Sequence, residues 1–76
     1  MIGDNCYIGN LANIGHNCKI GQDVEIGAGT IIAGFVEIES GVQIKIGCII
    51  RNRVKIKRGV VVGMGSVYNS SRNYDR

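Results

Sequence analysis

Seventy-six residues make one small domain, near the size at which a single hydrophobic core is marginal. Hydrophobic residues make up 45% of the chain but aromatics only 5%, with twelve glycines and no proline, which argues against an ordinary helical or sandwich core and for small aliphatics stacked in repeats. The net charge of +3 comes without an aromatic platform for stacked bases, so nucleic acid is not an expected partner. No signal peptide or membrane-spanning run is read, so no membrane partner is expected and the cytoplasm is the expected location.

Taken in chain order, an aliphatic residue returns every six places: Ile2, Ile8, Ile14, Ile20, Ile26, Ile32, Ile38, Ile44, Ile50, Ile56, then Val62 and Tyr68. These twelve registers run without insertion, and a small or short-branched residue stands four places after the repeated one, as in Cys18, Val24, Thr30 and Val36. A period of six is neither helical nor simple strand alternation. Thr30 and Ile32, or Cys48 and Ile50, lie two apart and face the same side of a short strand, while Ile31 and Ile49 face the other. Glycine and polar residues between them form corners. Three strands and three corners close a triangular coil of eighteen residues, so twelve hexads make about four coils. Residues 1–68 form this repeat domain, and 69–76 are a polar C-terminal tail expected to fray.

Residues eighteen apart should stack directly. Asn13 then lies over Ile31, Ile49 and Val67, all outward-pointing, and the corner before that strand stacks Ala28, Ile46 and Met64. One face of the prism therefore offers solvent an apolar stripe that core packing does not explain, the usual mark of an interface. The other two faces carry Lys19, Glu37 and Lys55, and Tyr7, Glu25, Gln43 and Val61. One apolar face and two polar ones fit a closed cyclic assembly.

Cys6, Cys18 and Cys48 are an odd number at spacings that suit neither a disulfide framework nor a zinc site. They share a register position with Val24 and Val42, so they read as small core residues in a reducing compartment. No metal is expected. A three-histidine zinc site is excluded by the single histidine, His16, and an ice-binding threonine ladder by the single threonine, Thr30.

The twelve contiguous hexads, from Ile2 to about Tyr68, resemble the hexapeptide-repeat proteins. The resemblance implies an all-β fold, the left-handed parallel β-helix of about four triangular coils with three hexapeptides each, and makes the assembly a homotrimer through the face bearing Ala28, Ile31, Ile46, Ile49, Met64 and Val67. The left hand departs from the usual crossover rule and comes from the family alone.

His16 stands at the corner leaving the apolar face, with Gly34, Asn52 and Ser70 stacked below it. The segment IGHNCKIG around it looks like the active-site segment of hexapeptide acyltransferases acting on sugar nucleotides, including the sialic-acid O-acetyltransferase type and the N-acyltransferase of lipid A synthesis. That resemblance implies transfer from acetyl-coenzyme A, without a metal, to an amine or hydroxyl of a sugar or nucleotide-sugar acceptor. It makes His16 the general base and Gly34 the backbone N–H donor to the thioester carbonyl, one coil below, at a trimer interface. Asn17 is read as orienting the imidazole, and also as an ordinary turn residue. Cys18 points inward and is not the nucleophile.

In RNRVKIKR (residues 51–58), Glu37 lies over Lys55 and Glu39 over Lys57, which leaves Arg51, Arg53 and Arg58 without carboxylate neighbours. Arg51 and Arg53 flank Asn52 two coils below His16, where guanidinium groups could meet the phosphates of coenzyme A. The competing expectation is a truncated or degenerate β-helix core that trimerises without complete catalytic activity.

Overall fold

The computed structural model describes residues 1–68, so the tail 69–76, with Ser70, lies outside the described residues. Eleven two-residue strands follow one another: β1 (Tyr7–Ile8), β2 (Asn13–Ile14), β3 (Lys19–Ile20), β4 (Glu25–Ile26), β5 (Ile31–Ile32), β6 (Glu37–Ile38), β7 (Gln43–Ile44), β8 (Ile49–Ile50), β9 (Lys55–Ile56), β10 (Val61–Val62) and β11 (Val67–Tyr68). They form three parallel sheets, β1-β4-β7-β10, β2-β5-β8-β11 and β3-β6-β9. Every pairing is offset by eighteen, from Tyr7 with Glu25 to Val67 with Ile49, and a bridge from Ile2 to Ile20 adds the same step on the third face. The chain is an all-β left-handed parallel β-helix.

The core is the ladder of inward residues. Ile26, Ile32, Ile38, Ile44, Ile50, Ile56 and Val62 are buried, together with Val24, Thr30, Val36, Val42, Cys48 and Val54 from the place two residues before the repeated aliphatic. Burying one such aliphatic side chain is worth about 1.5–3 kcal/mol. The first coil departs from the expected ladder: Ile2 and Ile8 are exposed and Ile14 only partly buried, because among the described residues no coil lies above them.

The inward position before each strand does more than fill space. Thr30 Oγ1 donates to the Lys45 carbonyl at 3.0 Å, and the thiols of Cys6, Cys18 and Cys48 donate to Gly21, Ala33 and Gly63 carbonyls, each at 3.1 Å. Each bond joins a coil to the corner fifteen residues on, a role the sequence reading does not contain.

Every corner turns on one left-handed residue at the same place in the hexad. Gly29, Gly41, Gly47, Gly59 and Gly65 take it with φ between 71° and 77°, and Asn5, Asn17, Asp23, Leu11, Phe35 and Arg53 take it at 56–65°. From Asp23 onward its N–H is anchored one coil up, as where Phe35 N donates to the His16 carbonyl and Arg53 N to the Gly34 carbonyl, both at 3.1 Å. Gly27 is different from its neighbour Gly29. A Cβ on Gly27 would stand 2.6 Å from the Ile46 nitrogen of the next coil, whereas one on Gly29 would meet nothing within 4 Å. One glycine makes room between coils and the other frees a backbone angle.

Candidate active site

The apolar face is β2-β5-β8-β11. Ile31, Ile49 and Val67 are exposed on it, and Ile46 and Met64 are exposed at the preceding corner, where Ala28 is partly covered. The corner leaving this face carries His16, then Gly34, then Asn52, one per coil, and beside them Asn17, Phe35 and Arg53.

His16 is exposed, and its imidazole lies over Gly34. A Cβ on Gly34 would come within 3.3 Å of both Cε1 and Nε2 of the ring. Gly34 does not take a left-handed φ, so what its lack of a side chain provides is space for the imidazole. Its N–H meets no acceptor among the described residues. The same place in the hexad is filled elsewhere: Gln22 N–H donates to Ser40 Oγ at 3.0 Å, and Arg58 N–H to Glu39 Oε1 at 2.8 Å. The N–H groups of Ala28, Ile46, Asn52 and Met64 at that place likewise meet no acceptor among the described residues, so what is particular to this corner is the histidine ring beside such a donor.

Phe35 completes the cluster. Its ring stands edge-on to His16, with centroids 5.2 Å apart and planes at 84°, an arrangement worth about 0.5–1.5 kcal/mol beyond its area. The Arg53 guanidinium carbon lies 4.9 Å from the Phe35 centroid, a contact worth about 0.5–1 kcal/mol at an exposed place. Sequence reasoning missed Phe35 and left Arg53 without a partner. The signal was there: adding eighteen to Asn17 gives Phe35, the chain's one phenylalanine, at a corner position where glycine, asparagine and aspartate prevail.

The remaining predicted residues are less engaged. Asn17 makes no hydrogen bond to the imidazole among the described residues, and its φ of 60° gives it the corner-forming role. The Arg51 and Asn52 side chains are exposed, and Arg51 holds its coil through N–H to the Tyr68 carbonyl at 3.0 Å. Arg51 and Arg53 lie two places apart across Asn52, one coil beneath Gly34 and two beneath His16. Cys18 is buried, its thiol 3.1 Å from the Ala33 carbonyl and 3.9 Å from the His16 carbonyl. Among the described residues no group of three or more His, Cys, Asp or Glu could hold a metal ion, and no helix is long and apolar enough to cross a membrane.

A separate open groove of about 540 Å³ lies on the β3-β6-β9 face, lined by Met1, Lys19, Glu37, Glu39, Ser40 and Arg58 among others. It contains none of the His16 cluster.

Residues 1–34 match the family described as bacterial transferase hexapeptide (six repeats). The match covers less than half of the chain and agrees with the six-residue period and the parallel β-helix that run through the rest of it. The matched segment takes in His16 and ends on Gly34, so it holds both members of the imidazole–glycine pair but not Phe35 or the arginines. Comparison with curated proteins and with solved structures gave no match.

Proposed function

We propose that this β-helix is an acyltransferase that moves an acetyl group from acetyl-coenzyme A to an amine or hydroxyl of a sugar or nucleotide sugar. The observation that carries the reading is the His16 imidazole lying over Gly34, whose N–H has no acceptor among the described residues. The family match over residues 1–34 points to group transfer as the chemistry.

In this reading the His16 ring takes the proton of the acceptor N–H or O–H as the acceptor's lone pair attacks the thioester carbonyl. Negative charge gathers on that carbonyl oxygen, and the Gly34 N–H is the donor that meets it. When the carbon–sulfur bond breaks, the imidazolium returns its proton to the departing thiolate. Asn17 shapes the corner beside the base. Arg51, Asn52 and Arg53 continue the same edge and would hold the donor's phosphates. The Arg53 guanidinium is held beside the Phe35 ring, 4.9 Å from its centroid, and its N–H donors would meet phosphate. The exposed apolar face, with Ala28, Ile31, Ile46, Ile49, Met64 and Val67, is the surface through which three copies would assemble, bringing the His16 corner to their junction.

The test is acetyl transfer to a panel of sugar nucleotides by the intact chain and by His16→Ala. Loss of about 100-fold or more in turnover supports the base, and unchanged turnover rejects it. A second reading is a core that assembles without complete activity, favoured by the family match ending at Gly34. Calorimetry with acetyl-coenzyme A separates the two. Saturable binding that Gly34→Val weakens belongs to the enzyme, and no binding to the inactive core.

A further inference from the structure

We propose that Phe35 is the positioning residue of the His16 imidazole and that Arg53 holds Phe35 in that role. The inference rests on the reading of His16 as a base and goes beyond it. Histidine bases are commonly oriented by an oxygen acceptor on the second ring nitrogen. Here neither ring nitrogen has a hydrogen-bond partner among the described residues, so orientation must come from packing. The ring has Gly34 beneath it, within 3.3 Å of where a Cβ would sit, and Phe35 at 84° beside it. A floor and a perpendicular wall together limit rotation about the Cβ–Cγ bond.

The backbone makes the same point independently. At eight of the eleven left-handed corner positions the residue is glycine, asparagine or aspartate, the types that tolerate this region. Phe35 and Arg53 take φ of 61° and 65° in successive coils, where each is strained. Phe35 also remains 45% exposed and stands outside the buried core, so core packing does not account for it. What this placement achieves is contact upward with His16 and downward with Arg53. The Phe35 N–H bond to the His16 carbonyl holds the two residues in register, which brings their side chains within reach of each other.

The decisive variant is Phe35→Asn in the full chain, because asparagine suits the backbone angle and removes the ring. Its unfolding midpoint should stay close to that of the parent, the relieved backbone strain offsetting much of the two lost ring contacts. As His16 is the single histidine, its Cε1–H proton–carbon NMR signal is unambiguous. That signal should move, and kcat should fall about 10–100-fold, the scale of a misplaced catalytic group. Phe35→Tyr should keep both the signal position and most of kcat. Arg53→Gln, a second route to freeing the Phe35 ring, should move the same signal in the same direction. An unmoved signal in Phe35→Asn, or equal losses in Phe35→Asn and Phe35→Tyr, would overturn the proposal. Failure of the base reading itself looks different: His16→Ala then retains turnover whatever Phe35 does to the NMR signal.

Discussion

Lys55 forms its ion pair with Glu39, not with Glu37, the residue directly above it in the sheet ladder. Nζ lies 3.7 Å from Glu39 Oε2, while the Cα register pairs Lys55 with Glu37. Glu39 has a second task, accepting the Arg58 N–H at 2.8 Å through its other oxygen. One carboxylate therefore ties a strand and a corner of the coil beneath it.

The two partners should not be equal under mutation. Lys55→Ala removes one exposed ion pair and should cost no more than about 0.5 kcal/mol. Glu39→Ala also leaves the Arg58 N–H without its charged acceptor and should cost about 1.5 kcal/mol. Urea midpoints for the two variants and the double variant measure the difference, and equal losses would mean that the Arg58 bond contributes nothing.

The glycines divide in the same testable way. Gly27→Ala drives a methyl into the backbone of the next coil and should cost about 3 kcal/mol or more. Gly29→Ala meets no atom, but at φ 71° it should still cost about 1 kcal/mol from backbone strain. Leu11→Asn runs the other way: Leu11 is 91% exposed at φ 63°, so asparagine should raise stability by up to about 1 kcal/mol. Denaturant melts should rank the three in that order.

This contrast marks where sequence reasoning reached and where it stopped. The eighteen-residue coil, the inward ladder, the apolar stripe and the stacking of His16 over Gly34 all follow from adding a fixed period to a residue number. The period assigns Cα neighbours and the side each residue faces. It does not say how far a long side chain reaches, so Lys55 was matched with the carboxylate above it rather than the one diagonal to it. Nor does the period distinguish Gly27, which makes room between coils, from Gly29, which frees a backbone angle. Phe35 was reachable by the same addition, but its partnership with His16 depends on ring orientation, which spacing does not carry.

Thr30 and Cys48 occupy one stack and make equivalent bonds, Oγ1 to the Lys45 carbonyl and Sγ to the Gly63 carbonyl. Cys48→Thr should therefore be nearly neutral, within about 1 kcal/mol, because the hydroxyl inherits the acceptor and the methyl keeps the packing. Cys48→Val removes that bond, but the Gly63 carbonyl keeps the Ser66 N–H at 3.2 Å, so the cost should be no more than about 1 kcal/mol. Thermal or urea unfolding of the pair separates the bond from the volume.

The apolar face sets the last prediction. Ile31 and Ile49 are 49% and 41% exposed and adjacent in the ladder β5-β8, an arrangement that leaves a continuous hydrophobic strip in water unless another copy covers it. On the proposed assembly, Ile49→Glu places three buried charges around one axis, and light scattering should show the mass fall from three copies to one. Circular dichroism of the dissociated chain should keep its β signature, since Ile49 contributes nothing to the inward core. Gln43→Glu, the same charge on a polar face, should leave the mass unchanged. If the assembly also completes the site at the His16 corner, the Ile49→Glu chain loses acetyl transfer together with its neighbours, and activity in the parent falls on dilution with the trimer fraction. Transfer that survives dissociation would place the whole site within one copy and detach the function of the corner from the face beside it.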